Sequence, residues 1–148
     1  MRGLTLAILS SGALIDVSVG LVDARRRVLQ RQGRECPPPV QVKLLIDTGA
    51  STSLIDEGVM RTLQLTPSSA TSYHSSSTSG VPQDCDMYDV QLFLGGMATI
   101  NNLRIDPIPV MANSFINQPF DGLLGRDVLN RIRLSWNGPA RTLQLEYP

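Results

Sequence analysis

The segment Leu44-Leu45-Ile46-Asp47-Thr48-Gly49 constrains this chain more than any other. It sets an aspartate at the end of an apolar run, where an isolated ionised carboxylate is disfavoured by several kcal/mol. Such a residue is kept when something uses it. Gly49 lets the backbone turn in ways that other residues resist, and it lets another segment approach closely. Thr48 sets a hydroxyl, donor and acceptor at once, between the two. A bare Asp-Thr-Gly can equally be a turn in which the aspartate caps its own backbone. The surroundings of Asp47 therefore decide its meaning.

Those surroundings read as mostly β. Ile15, Val17, Val19 and Leu21 alternate with polar or small residues in a run from about Ala13 to Val22. Pro37-Pro38-Pro39 removes three backbone donors and stops any ladder before Val40–Ile46, whose apolar end predicts burial on both faces. Glu57 to Leu65 suits a short helix or turn. Met87 to Leu94 alternates again, Gly95-Gly96 marks a turn into Met97 to Ile105, and Pro107 to Met111 is extended. Asn137-Gly138 between Ile132/Leu134/Trp136 and Leu143/Leu145/Tyr147 is a strong hairpin signal. Trp136 and the methionines are expected in the core. Between Thr66 and Gly80, ten of fifteen residues are Ser or Thr, too polar to hold themselves rigid, which predicts a mobile hairpin.

Composition removes several function classes. The formal net charge is zero over 148 residues, so no overall field recruits nucleic acid or an anionic membrane. Arg25, Arg26, Arg27, Arg31 and Arg34 cluster without neighbouring aromatics, which favours a solvated loop over a nucleic-acid patch. Cys36 and Cys85 are two distant cysteines, read as free thiols in a reducing compartment with a single bridge as the alternative, and no zinc spacing is present. A cytoplasmic location follows, with export as the alternative if the apolar residues after Arg2 act as a signal. The interrupted N-terminal run is too short to span a bilayer. The single histidine, His74, has no Gly-x-Ser-x-Gly elbow to serve. Asp84, Asp86 and Asp89 lack an EF-hand's glycine and glutamate, so neither a metal nor a cofactor is expected.

About seventy-five residues after Asp47, Phe120-Asp121-Gly122-Leu123-Leu124-Gly125-Arg126-Asp127 repeats two bulky apolar residues and a glycine. Together with Leu44 to Thr52, this order and separation resembles the retropepsin-like aspartic proteases, single-domain relatives of pepsin. The resemblance spans roughly Ile15 to Tyr147. It implies a mostly β closed barrel with one short C-terminal helix and a flap hairpin, one domain over residues 1–148, working as a C2 homodimer. It implies an aspartic endopeptidase with Asp47 as the catalytic carboxylate and peptide or protein as substrate. Thr48, Gly49, Ala50, Leu123, Leu124 and Gly125 would support the catalytic loop. The flap would run from about Thr71 to Tyr88, with Ser76, Ser77, Thr78, Ser79, Gly80 and Val81 over the substrate, and apolar residues of the Ile108 to Phe120 stretch would line its pockets. Leu143, Leu145 and Tyr147 would join the terminal strands of two subunits, so that deleting the last six residues should dissociate the dimer.

Three departures qualify the resemblance and set the chain closer to cellular and bacterial members than to viral ones, the first being a flap without the Gly-rich tip of viral members. Ser51 stands where retroviral members carry an aspartate that pairs with the arginine corresponding to Arg126, so that arginine needs another partner. The Asp23 to Pro39 insertion is long for the family and is read as a loop, a binding element or a disordered excursion. The alternative function is the same fold used for binding or dimerisation without peptidase activity.

Overall fold

The computed structural model describes residues 2–73, 83–96 and 102–148. Ten strands account for most of them: β1 (Arg2–Leu9), β2 (Gly12–Gly20), β3 (Val40–Ile46), β4 (Leu54–Asp56), β5 (Ser69–Tyr73), β6 (Gln83–Leu94), β7 (Arg104–Asn113), β8 (Gly122–Leu124), β9 (Arg133–Asn137) and β10 (Thr142–Tyr147). Their hydrogen-bonded order is β5-β6-β7-β4-β8-β3-β2-β1-β10-β9, and β6 also pairs with β2. That second pairing closes β2, β3, β8, β4, β7 and β6 into a six-stranded barrel. The mostly β closed barrel implied by the resemblance is the one observed.

The alternation in β2 explains why the barrel closes around it. Ile15, Val17 and Val19 are fully buried and meet Leu44, Leu92, Leu94, Val110 and Leu124 in one core. In β3 only Val42 and Leu44 are buried, whereas Leu45 and Ile46 are half-buried. Burial on both faces, expected from the apolar run, is therefore not reached within one chain. Ile108 and Val110 also belong to the core and line no substrate pocket.

Outside the barrel lies a three-stranded layer, β1-β10-β9. Here the terminal-strand expectation needs correction. Leu143, Leu145 and Tyr147 are buried by their own chain, and β10 is already paired on both edges. Removing the last six residues would take out the middle strand of this layer, a larger effect than separating one subunit from another. Trp136, expected in the core, is 61% exposed on β9.

Three helices lie among the described residues, α1 (Asp23–Arg31), α2 (Glu57–Thr62) and α3 (Arg126–Leu129); α2 falls where a short helix or turn is expected, α3 is the expected C-terminal helix, and only α1 departs from the expectation. The first occupies the arginine-rich insertion. It has acidic Asp23 in its first turn and Arg31 in its last, which suits the helix dipole. Leu29 anchors it in the core. Tertiary contacts hold its start: the Asp23 amide donates to Asp106 Oδ2 at 3.0 Å, and the Asp23 carboxylate accepts from Arg26 Nη1 at 3.0 Å and Gln91 Nε2 at 3.1 Å. Arg104 pairs with the same carboxylate. No helix among the described residues is long and apolar enough to cross a membrane.

Candidate active site

Strand β3 delivers its chain direction straight into the turn at Asp47. The Asp47 amide donates to the carbonyl of Leu124 at 3.0 Å, which ties the start of the turn to β8. The Gly49 amide donates to Asp47 Oδ1 at 2.9 Å, and the Ala50 amide donates to the Asp47 carbonyl at 3.2 Å. One carboxylate oxygen is thus oriented by the backbone. Oδ2 accepts no hydrogen bond from the described residues. Asp47 and Ala50 are half-buried, and Thr48, Gly49 and Ser51 are exposed, so the turn faces outward from the single chain.

Strand β8 supports this turn by lying between the strands on either side of it. It runs parallel to β3, with Leu45 opposite Leu123 and Ile46 opposite Leu124, and antiparallel to β4, with Leu54 opposite Leu123. Leu124 is buried in the main core, whereas half-buried Leu123 points to a second cluster. The approach is close enough to require glycine. A Cβ on Gly125 would sit 2.9 Å from the Ala50 carbonyl oxygen, and one on Gly122 would sit 2.1 Å from that of Leu54. The Arg126 amide then donates to the Ala50 carbonyl at 2.8 Å.

The partner of Arg126 is a backbone group: its Nη1 donates to the Thr48 carbonyl at 2.8 Å. With Ser51 in place of a carboxylate, the guanidinium reaches the Asp47 turn itself. Two further residues join the support that motif reading did not single out. Ser53, fully buried, donates from its amide to Asp127 Oδ2 at 2.9 Å and from its hydroxyl to Asp127 Oδ1 at 2.7 Å. The same hydroxyl accepts from the Gly125 amide at 2.9 Å. The clue available in the letters was the serine directly before apolar Leu54-Ile55, with an aspartate two positions past Gly125.

Asp121 makes the other end of the brace. Its amide donates to the Lys43 carbonyl at 2.7 Å, and its Oδ2 accepts from the Lys43 amide at 2.9 Å. Hydrogen bonding to Asp16, followed by that carboxylate's charge, raises the pKa of the exposed Lys43 ammonium above its ordinary value.

The expected flap, about Thr71 to Tyr88, lies partly outside the described residues. Strands β5 and β6 form an antiparallel hairpin base from Ser69 opposite Met87 to Tyr73 opposite Gln83. Asp84, Asp86 and Asp89 are exposed along β6. Ser76 to Val81 and His74 lie outside the described residues. Below the hairpin base, Leu54, Cys85 and Met111 form a small apolar cluster with Met87, Phe115 and Leu123 packed against it. Ile116 is 78% exposed in the loop after β7.

Both cysteines are free, with Cys85 buried and Cys36 partly exposed. Burial, followed by the charges of Asp86 and Asp84, pushes the Cys85 thiol above its ordinary pKa. A raised pKa leaves less thiolate at a given pH, so Cys85 is a poor nucleophile. With an alkylating reagent at about pH 8, Cys36 should react first, and Cys85 only at more alkaline pH or on unfolding. Mass mapping of the modified peptides checks this; equal rates at both sites would contradict it. Among the described residues no group of three His, Cys, Asp or Glu could hold a metal ion.

An aspartyl protease family model matches residues 39–128, a span holding both Asp47-Thr48-Gly49 and Leu123-Leu124-Gly125, and the chain belongs to that family. Its fold is retropepsin-like. The crystal structure of a retropepsin-like aspartic protease from Rickettsia conorii superposes with a TM-score of 0.62 at 15% identity, covering 98% of this chain and 90% of that one. At that identity the likeness is one of fold. No curated protein matches the chain.

Proposed function

We propose that this chain is an aspartic endopeptidase working as a C2 homodimer, in which Asp47 of each copy supplies half of the catalytic pair. The observation that carries this reading is the Asp47 turn: one carboxylate, oriented through Oδ1 by the Gly49 amide, braced by β8 and facing out of its own chain. Aspartic protease chemistry uses two carboxylates about 3 Å apart sharing one proton, because like charges so close cannot both ionise. The single Asp-Thr-Gly makes a second copy the simplest source of the other carboxylate.

In that pair the ionised Asp47 takes a proton from a water, whose oxygen attacks the scissile carbonyl carbon. The protonated Asp47 hydrogen-bonds the carbonyl oxygen. The tetrahedral intermediate collapses as the C–N bond breaks and a proton passes to the leaving amine. No covalent enzyme intermediate forms, and no cofactor is needed. Thr48, exposed beside the pair, would bond across the two-fold axis, and Ser76 to Val81 would cover the substrate. The cluster of Leu54, Met87, Met111, Phe115 and Leu123 under the hairpin base favours an extended peptide with apolar residues near the cut.

The test is a peptide-library assay at about pH 4 to 6, the range of a shared-proton dyad. Asp47→Asn should lower kcat/KM by about 10³-fold or more. Activity surviving the substitution would remove Asp47 from the mechanism. A folded dimer inactive in both forms would favour a binding module.

A further inference from the structure

The outer side of α1 takes no part in the Asp47 site. We propose that it is a docking surface for a carboxylate-rich segment of a partner protein, held by Arg27 and Arg31 with Arg25 and Arg34 flanking them. Residues 23–35 carry five arginines against two carboxylates, Asp23 and Glu35, in a chain whose formal net charge is zero. Asp23 is already engaged, by Arg26 at 3.0 Å, by Gln91 at 3.1 Å and by Arg104. Arg25, Arg27, Arg31 and Arg34 are all exposed, and none of the four forms an ion pair among the described residues.

This charge is set out on a fixed support. Arg27 and Arg31 stand one turn apart on the side of α1 away from Leu29, which faces the core. Like charges at that spacing work against a helix. Arg31, in the last turn, is favoured by the helix dipole, whereas Arg27 lies too far from the end to gain from it. The order of α1 comes from the barrel instead: buried Gln91 holds the Asp23 carboxylate, and Asp106 accepts from the Asp23 amide at 3.0 Å. A helix that repels itself is thereby held in place with its guanidinium groups outward.

The chemistry of those groups selects the partner. Guanidinium is planar, always charged, and pairs bidentately with carboxylates. Side chains at i and i+4 of a helix start about 5–6 Å apart, close to the roughly 6.6 Å between alternate residues of an extended segment. Acidic residues at alternate positions therefore meet both Arg27 and Arg31. Past the helix, a groove of about 550 Å³ lined by Arg34, Glu35, Pro37, Pro38, Thr62 and Gln64 gives such a segment room to continue. Glu35 is the one carboxylate in the groove and confines the acidic residues to the helix side. Single-stranded nucleic acid fits less well, because residues 23–39 hold no aromatic side chain on which a base could stack.

Fluorescence anisotropy of fluorescein-labelled hexaglutamate, titrated with the Asp47→Asn chain so that the probe is not cut, tests this. Binding should survive about 0.15 M salt and weaken above it. Arg27→Glu should weaken it at least tenfold while its Tm stays the same or rises, because a glutamate four residues before Arg31 makes a favourable pair. The double variant Arg27→Gln, Arg31→Gln should lose as much, and decides the matter should Arg27→Glu fail to fold. Arg133→Gln, which removes a charge from β9, should change the affinity less than twofold. Hexaglutamate that fails to bind, or that binds Arg27→Glu as tightly as the parent chain, overturns the site. An oligothymidylate of equal charge bound more tightly than hexaglutamate through the same two arginines overturns the choice of partner.

Discussion

Gly125→Ala is expected to cost the protein most of its activity while leaving Asp47 itself untouched. The added methyl would lie 2.9 Å from the Ala50 oxygen, 2.9 Å from the Thr52 carbonyl carbon and 3.0 Å from its oxygen. All three are backbone atoms, so no flexible side chain can swing aside. The strain is purely steric, because Gly125 has φ −94°, open to any residue. Overpacking of this kind costs about 1–3 kcal/mol. The displaced segment, Ala50 to Thr52, leads out of the Asp47 turn. A shift approaching 1 Å at a catalytic group can lower the rate about 10²-fold. Gly20→Ala is a fair control, since its nearest neighbour would be the Pro39 ring at 3.5 Å. Thermal unfolding with kcat/KM for both variants checks the claim; a Gly125→Ala enzyme with wild-type activity would contradict it.

Asp127→Ala should be the second large effect, and it acts through buried polar atoms instead of volume. Both carboxylate oxygens of Asp127 accept from Ser53, a residue with no exposed surface. Oδ1 also accepts from the Val128 amide at 2.9 Å, within the first turn of α3. Without it, the Ser53 amide and hydroxyl lose their partners where water does not reach. Each such group costs about 1–3 kcal/mol. The Ser53 hydroxyl would then turn, weakening its acceptance from the Gly125 amide and loosening β8 from the Asp47 turn. Asp127→Asn keeps an acceptor oxygen and should lose less. Chemical denaturation and steady-state kinetics read both consequences. Equal stability for Asp127→Ala and wild type would mean that this brace carries little.

Much of this architecture was legible because it rests on local pattern. The period of two in Ile15, Val17 and Val19 marks β2, the three prolines end the connection before β3, and Asn137-Gly138 marks the β9–β10 hairpin. What escaped depends on contacts between residues far apart in the chain. Helix α1 reads as a charged loop because only Val28 and Leu29 are bulky apolar residues in it, while its start is held by Gln91, Arg104 and Asp106. Ser53 and Asp127 are 74 positions apart, and neither letter announces the other. Trp136 looks like core by type and lies exposed because β9 is an edge strand. Leu143, Leu145 and Tyr147 showed their apolar face correctly, but which surface would cover that face was not encoded in the alternation.

The central claim is that catalysis uses one Asp47 from each of two copies. Mixing tests it directly. Wild type held at fixed concentration is allowed to exchange with an equal amount of Asp47→Asn chain, and peptidase activity is followed. Random pairing would leave about half the original number of all-wild-type dimers, so activity should fall to about one half and continue down as more Asp47→Asn chain is added. Activity that stays constant at every ratio, with exchange confirmed by a labelled chain, would contradict the shared site.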